Sequence, residues 1–183
     1  MKLKLLLIIA LLLSHLAGAE KIVVGPGDRI QEAINRSMPG DLIEVQSGTY
    51  YENLIVNKTL TLSGVDTGGG KPVIDPPVRG SAATLGEDKI WFEGFVVTNS
   101  SRSAGSKTAY MVELNGIGPQ SESVGILIDS SEKCIVENNT AILNDVGILL
   151  WKADNNTIMN NIVSENAHAG IALSKDSSNN SIL

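Results

Sequence analysis

Cysteine is almost absent from this 183-residue chain; the one present is Cys134. A single thiol excludes an intrachain disulfide framework and a cysteine-based zinc site. Aromatics are also scarce, seven in all. The six prolines all precede residue 120, so whatever is regular beyond that point runs without them. Basic residues are the minority, 14 Lys+Arg against 20 Asp+Glu, and the formal net charge is −6. With no basic run, nucleic acid is not the expected partner. Past residue 19 no apolar stretch is long enough to span a bilayer, which takes about 20 residues. With 43% hydrophobic and 19% charged positions, the composition suits one domain with a core.

The first residues read as an address. Met1-Lys-Leu-Lys4 is a basic start, Leu5 to Leu13 is apolar, and Ala17-Gly18-Ala19 is a small-residue cleavage site. That order is the signature of a secretory signal peptide over residues 1–19. Ser14 and His15 interrupt the apolar run, which disfavours an uncleaved anchor. The expected mature domain is 20–183, secreted, periplasmic or on the cell surface. Cleavage removes two lysines and takes the net charge to −8. Asn-x-Ser/Thr sequons stand at Asn35, Asn57, Asn99, Asn138, Asn155 and Asn179. Asn99, in a polar loop, is the expected glycan acceptor. The last three fall in a repeat that favours Asn for structural reasons.

That repeat dominates the second half. From residue 125 the glycines are Gly125, Gly147 and Gly170, spaced 22 and 23 apart, and each opens the same phrase. The phrases are Gly125-Ile-Leu-Ile128, Gly147-Ile-Leu-Leu150 and Gly170-Ile-Ala-Leu173. A second phrase follows: Cys134-Ile-Val-Glu-Asn138, Thr157-Ile-Met-Asn-Asn161 and Ser181-Ile-Leu183. A fixed period of this size marks a solenoid. The short runs alternate with period two and lack helical spacing, so each unit is built of strands. Two or three short strands per 22–23-residue turn give a parallel β-helix, an all-β solenoid.

Three inward ladders follow. Ile126, Ile148 and Ile171 form one; Ile128, Leu150 and Leu173 the next; Ile135, Ile158 and Ile182 a third. Cys134, Thr157 and Ser181 take equivalent small-residue positions, so Cys134 is expected buried. Stacked Asn138 and Asn161 are expected to bond coil to coil at a corner, where Asn tolerates left-handed backbone. The three glycines are expected at tight corners. Upstream, Asp28 and Gln31 suggest a capping box for a short helix with apolar Ile30, Ala33 and Ile34. Pro39-Gly40 stops it. Such a helix would cover the solenoid's open end. Strands are expected at Leu42–Val45, Leu54–Val56 and Leu60–Leu62, with a strand pair Ile90–Phe92 and Phe95–Thr98 around Gly94. Loops are expected at Thr67–Lys71, Pro76–Ser81, Ser100–Thr108 and Asn115–Ser123. The last repeat stops at Leu183, so an uncapped or truncated C-terminal end is expected, with end-to-end or edge association open to it.

The opening resembles secreted right-handed parallel β-helix proteins of the pectate-lyase-like fold. The residues that carry this are Ile30-Gln-Glu-Ala-Ile-Asn35, Pro39-Gly-Asp-Leu-Ile-Glu-Val45, Gly48-Thr-Tyr50, Glu52-Asn53, Val56-Asn-Lys-Thr-Leu-Thr-Leu62 and Val73-Ile-Asp75. Gly94-Phe-Val-Val-Thr-Asn-Ser100 and the Gly-Ile-x-Leu…Asn-Asn units resemble the NosD-like group, also described as a carbohydrate-binding and sugar-hydrolase β-helix domain. The resemblance implies a right-handed single-stranded coil and an exposed flank suited to polysaccharide. Lyases of this fold use calcium on acidic ligands and a base. Hydrolases of this fold resemble one another in Asn-Thr-Asp, Asp-Asp and Gly-His-Gly strings, none of which occurs here. NosD relatives imply copper-site maturation, but Met38, Met111, Met159, Cys134 and His168 are scattered and form no copper motif.

The candidate site comes from the repeat. Lys152 and Lys175 are 23 apart, Asp154 and Asp176 are 22 apart, and Trp151 lies beside them. Stacking would align each pair on neighbouring coils. Trp151 offers a ring face to a sugar, and Lys152, Asp154, Lys175 and Asp176 its polar groups. The plainer alternative is a solvated turn with alternating charges. If the protein is an enzyme, Asp154 and Asp176 are the acid pair and Lys152 the base; inverting hydrolysis needs carboxylates about 6.5–9.5 Å apart. His168 is a base or ligand candidate, or an ordinary turn histidine. No resident metal or cofactor is expected, calcium entering only with a lyase. The expected function is a non-catalytic polysaccharide-binding or envelope scaffold module. The alternatives are a lyase or hydrolase on an acidic polymer, or a copper-maturation accessory.

Overall fold

The computed structural model describes residues 18–78, 80–100 and 123–183. Most of the expected signal peptide, Met111, Arg79, Arg102 and most of the Ser100–Thr108 and Asn115–Ser123 segments lie outside the described residues. No helix among them is long and apolar enough to cross a membrane.

The described residues open with strand β1 (Lys21–Val24) and helix α1 (Ile30–Arg36), the one helix among them. It then winds in coils of three strands. The first is β2 (Leu42–Gln46), β3 (Thr49–Tyr50) and β4 (Leu54–Val56); the second is β5 (Thr61–Val65), β6 (Val73–Ile74) and β7 (Ala83–Leu85). The third is β8 (Trp91–Glu93), β9 (Val96–Thr98) and β10 (Val124–Asp129); the fourth is β11 (Ile135–Glu137), β12 (Thr140–Ile142) and β13 (Val146–Trp151). The fifth is β14 (Thr157–Met159), β15 (Ile162–Ser164) and β16 (Ala169–Leu173), and β17 (Ser181–Ile182) begins the next. From β2 onward every third strand joins the same sheet. The first sheet is β1-β2-β5-β8-β11-β14-β17, the second β3-β6-β9-β12-β15 and the third β4-β7-β10-β13-β16. All pairings are parallel. The protein is a right-handed parallel β-helix with three faces.

The strand pair expected of Ile90–Phe92 and Phe95–Thr98 does not form. The two runs turn a corner instead, so β8 and β9 belong to different sheets. Gly94 makes that corner at φ +79, with its α-carbon against the Gly64 carbonyl. A side chain fits neither the angle nor the space.

The interior is a column of buried apolar side chains from all three sheets. Ile126, Ile148 and Ile171 are register partners, as are Ile128, Leu150 and Leu173. The third ladder differs from the expected one by a residue. Val136 pairs with Ile158 and Ile182, while Ile135 pairs with Thr157 and faces outward. A one-residue slip sends a side chain to the opposite face. Cys134 is buried as expected, but it sits level with Asn156 rather than Thr157. Gly125 and Gly147 are required by crowding: a Cβ would lie 2.6 Å from the carbonyl oxygen of Gly147 or Gly170 respectively.

Each corner carries an asparagine ladder. Asn139 stands over Asn161, Asn144 over Asn166 and Asn156 over Asn180. Asn161 therefore partners Asn139, not Asn138. Asn139 Oδ1 accepts from Phe95 N–H at 3.1 Å, and its Nδ2 donates to the Phe92 carbonyl at 3.0 Å. These bonds satisfy the corner amide of Phe95 and add a side-chain donor to a carbonyl inside β8. Asn138 and Asn160 precede Asn139 and Asn161 at φ 55 each, Asn155 and Asn179 precede Asn156 and Asn180 at φ 58 and 54, and Leu143 and Glu165 precede the remaining two at φ 59 and 55.

Helix α1 buries Ile30, Ala33 and Ile34 against the coil stack, as expected. Its cap is not the Asp28–Gln31 box. Glu52, from the first coil, accepts from the N–H groups of Ile30 and Gln31 at 2.8 and 3.2 Å. At the other end Lys58 Nζ donates to the carbonyls of Ile34, Asn35 and Ser37. The carboxylate meets the positive end of the helix dipole and the ammonium the negative end. Gln31 completes the seal. Its amide accepts from Ile55 N–H at 2.8 Å and donates to Ile55 C=O at 3.2 Å. It thus fills the place of a strand at the exposed edge of β4.

Candidate functional site

Strand β13 of the third sheet ends at Trp151, whose register partner one coil back is Asp129. Trp151 is half-buried and packs on a second apolar cluster of Val124, Leu127, Val146, Leu149 and Ala172. Lys152 follows in left-handed conformation at φ 48, exposed. The next coil is one residue longer here. Leu150 pairs with Leu173, but Ala153 N–H donates to Ser177 Oγ, 24 residues on. The surplus falls on Lys175-Asp176, which form an exposed turn level with Lys152. The two lysines thus share a corner.

The two aspartates do not stack. Asp154 pairs with Glu132 on one side and with Ser178 on the other. Its Oδ1 accepts from Ser178 N–H at 2.6 Å and from Ser178 Oγ at 2.8 Å. That carboxylate brackets two coils together. Asp176 sits on the extra turn. The expected alignment of Asp154 over Asp176, a spacing of 22, fails because the next coil has gained two residues by this point, so that Asp154 meets Ser178, 24 residues on.

A second surface has no counterpart in the sequence motifs. Along the outer face of the first sheet, Lys21, Leu42, Thr61, Trp91, Ile135, Thr157 and Ser181 form one ladder. Val23, Glu44, Ser63, Glu93, Glu137 and Met159 form the next. Seven strands at about 4.8 Å make a flat face about 29 Å long. Trp91 lies on its central strand and is 39% exposed. Glu93 is two residues along on the same face, held by Ser63 Oγ at 2.9 Å. Glu137 is one strand further on. The signal is the exposed aromatic at an outward ladder position, and register alone reveals it.

Among the described residues the expected copper donors do not gather. Cys134 is fully buried, its thiol 3.3 Å from the Glu87 carbonyl, and burial pushes its pKa up to about 11. A metal needs the thiolate, which that environment opposes. Met159 lies on the outer first sheet, and His168 is exposed at the corner before β16. Among the described residues no three His, Cys, Asp or Glu side chains form a group fit to hold a metal ion.

Comparison with known proteins agrees with the architecture. The chain is 31% identical over 118 residues to a cell surface glycoprotein of Methanothermus fervidus, a match covering 61% of this chain and 18% of that protein. An alginate lyase of Paenibacillus sp. shares the fold at a TM-score of 0.53 and 13% identity, over 86% of this chain and 59% of that one. A pectin methylesterase solved with a hexasaccharide does so at 0.50 and 12%, over 75% and 55%. The chain thus spans under two thirds of each of these proteins. Residues 34–183 match the family model described as periplasmic copper-binding protein (NosD), and the chain belongs to that family.

Proposed function

We propose that the protein is a surface-displayed β-helix module that binds a neutral glycan along its first sheet, without cleaving it. The observation that carries this reading is Trp91, 39% exposed at the centre of a flat seven-stranded face. An indole face matches the C–H side of a sugar ring. Glu93 and Glu137 beside it are acceptors for sugar hydroxyls. The same two carboxylates repel uronate polymers, while Glu44 in their row is already paired with Lys21 at 2.6 Å. The cell surface glycoprotein relative supports display outside the cell. The alginate lyase and pectin methylesterase share the fold alone.

A second reading rests on Lys152 and Lys175, which share an exposed corner near Trp151. That corner would take an acidic polymer. An enzymatic version needs Lys152, Asp154 and Asp176 to act together, and Asp154 is already occupied by Ser178. The copper-accessory reading has no donor set among the described residues.

The test is binding to immobilised neutral and uronate polysaccharides, with and without calcium, followed by analysis for cleavage products. Trp91→Ala should abolish neutral-glycan binding while Trp151→Ala leaves it. Uronate binding lost on neutralising Lys152 and Lys175 would favour the corner. Shortened polymer would overturn the non-catalytic reading.

A further inference from the structure

We propose that Asn138, Asn155 and Asn179 are N-glycan acceptor sites presented by the corners of the β-helix. The corner imposes a three-residue pattern. Its first residue is left-handed, which Asn tolerates better than most; φ is 55, 58 and 54 at the three positions. Its second residue turns inward as a ladder amide: Asn139, Asn156 and Asn180. Its third opens a strand and faces outward: Thr140, Thr157 and Ser181. Read in order, the corner spells Asn-x-Ser/Thr, the acceptor sequence for N-linked glycans.

The geometry separates these sequons from the rest. The side chains of Asn138, Asn155 and Asn179 are exposed and make no hydrogen bond. The hydroxyls of Thr140, Thr157 and Ser181 are likewise unengaged. The other described sequons have committed hydroxyls. Ser37, serving Asn35, is buried and donates to Ile34 O at 2.7 Å. Thr59, serving Asn57, donates to Asp88 O at 3.0 Å. Asn99, which the sequence favours, is only half-exposed, and its Ser101 lies outside the described residues. Asn160-Asn161-Ile162 supplies an internal control: the same left-handed exposed Asn and inward ladder amide, with no hydroxyl at the third place.

The transfer is a substitution at carbon, with no redox change. The amide nitrogen Nδ2 forms a bond to the anomeric carbon of an oligosaccharide carried on a polyprenyl phosphate or diphosphate. The carbon–oxygen bond to that phosphate breaks, the phosphate leaves with the electron pair, and the amide loses one proton. Oδ1 keeps its lone pairs, and the ladder amide next door is untouched, so the coil stack accommodates the product.

The test secretes the full chain from a host with an N-glycosylation pathway, alongside a control glycoprotein, and maps occupancy by glycopeptide mass spectrometry. Sugar is expected at Asn138, Asn155 and Asn179, in excess over Asn35 and Asn57, and none at Asn160. Thr140→Val and Thr157→Val keep the β-branched shape and should each remove one glycan's mass with the unfolding midpoint of the deglycosylated protein unchanged. An unmodified chain beside a modified control would overturn the proposal. So would occupancy confined to Asn35, Asn57 or Asn99.

Discussion

Two neighbouring asparagines should differ sharply in what they contribute. Asn139→Ala removes an amide that is 1% exposed. Phe95 N–H loses its acceptor and Phe92 C=O its side-chain donor. Asn161 Oδ1 keeps the Asn139 backbone N–H at 2.9 Å, so it is not orphaned. The orphaned Phe95 N–H costs about 1–3 kcal/mol and the lost bond to Phe92 C=O, which lies within the paired strand β8, about 0.5–1.5 kcal/mol, together about 1.5–4.5 kcal/mol. Asn138→Ala removes only an exposed side chain with no hydrogen bond. Its cost is that of placing Ala at positive φ, about 1 kcal/mol, and Asn138→Gly should cost less still. Urea unfolding followed by far-UV circular dichroism measures all three, with the midpoint shift converted through the slope. If Asn138→Ala costs as much as Asn139→Ala, the ladder does not hold the corner as described.

Two further outcomes follow from the titrating groups. Asp41 accepts from the N–H groups of Glu20 and Met38 at 2.8 and 2.7 Å, and these bonds hold its carboxyl below the ordinary carboxylate range. Its stabilising contribution is present above the unfolded value of 3.8 and is lost as pH falls through the lower folded value. The stability gap between the protein and Asp41→Asn should therefore be widest near neutrality and close in acid, read from unfolding midpoints across pH. Cys134 should resist a thiol reagent at pH 8 in the native protein and react fully in denaturant; fast native labelling would show that the thiol is accessible.

The period is legible because the core repeats: Ile126, Ile148 and Ile171 share a ladder, as their phrases imply. Position within the coil is less legible. Counting back from the glycines aligns Cys134 with Thr157, whereas the coil aligns Ile135 with Thr157. The cause is uneven coil length. Asn144 and Asn166 are 22 apart, Val146 and Ala169 are 23, and Asn156 and Asn180 are 24. The added residues fall at the His168 corner and at Lys175-Asp176, where a turn absorbs them without disturbing the strands. That is why the Asp154–Asp176 alignment fails. The helix cap is hidden for a different reason: Glu52 and Lys58 lie about a coil away in sequence, and only winding brings them to the two ends of α1. Trp91 is invisible as a platform because its neighbours Thr61 and Ile135 are 30 and 44 residues distant.

The winding itself has a mechanical meaning. Every strand lies across the long axis, so its ladder bonds point along that axis. Tension applied at the two ends pulls directly on those bonds, and they break coil by coil rather than in a single shear. Each coil occupies about 4.8 Å of the stack. The 22 residues between Asn139 and Asn161, drawn straight, span about 75 Å. A coil that opens therefore lengthens the molecule by more than ten times the height it filled, while the coils below it stay wound. A protein held outside the cell by its ends would give way in small, separate steps under load, and it would rewind against an intact neighbour that already presents the template.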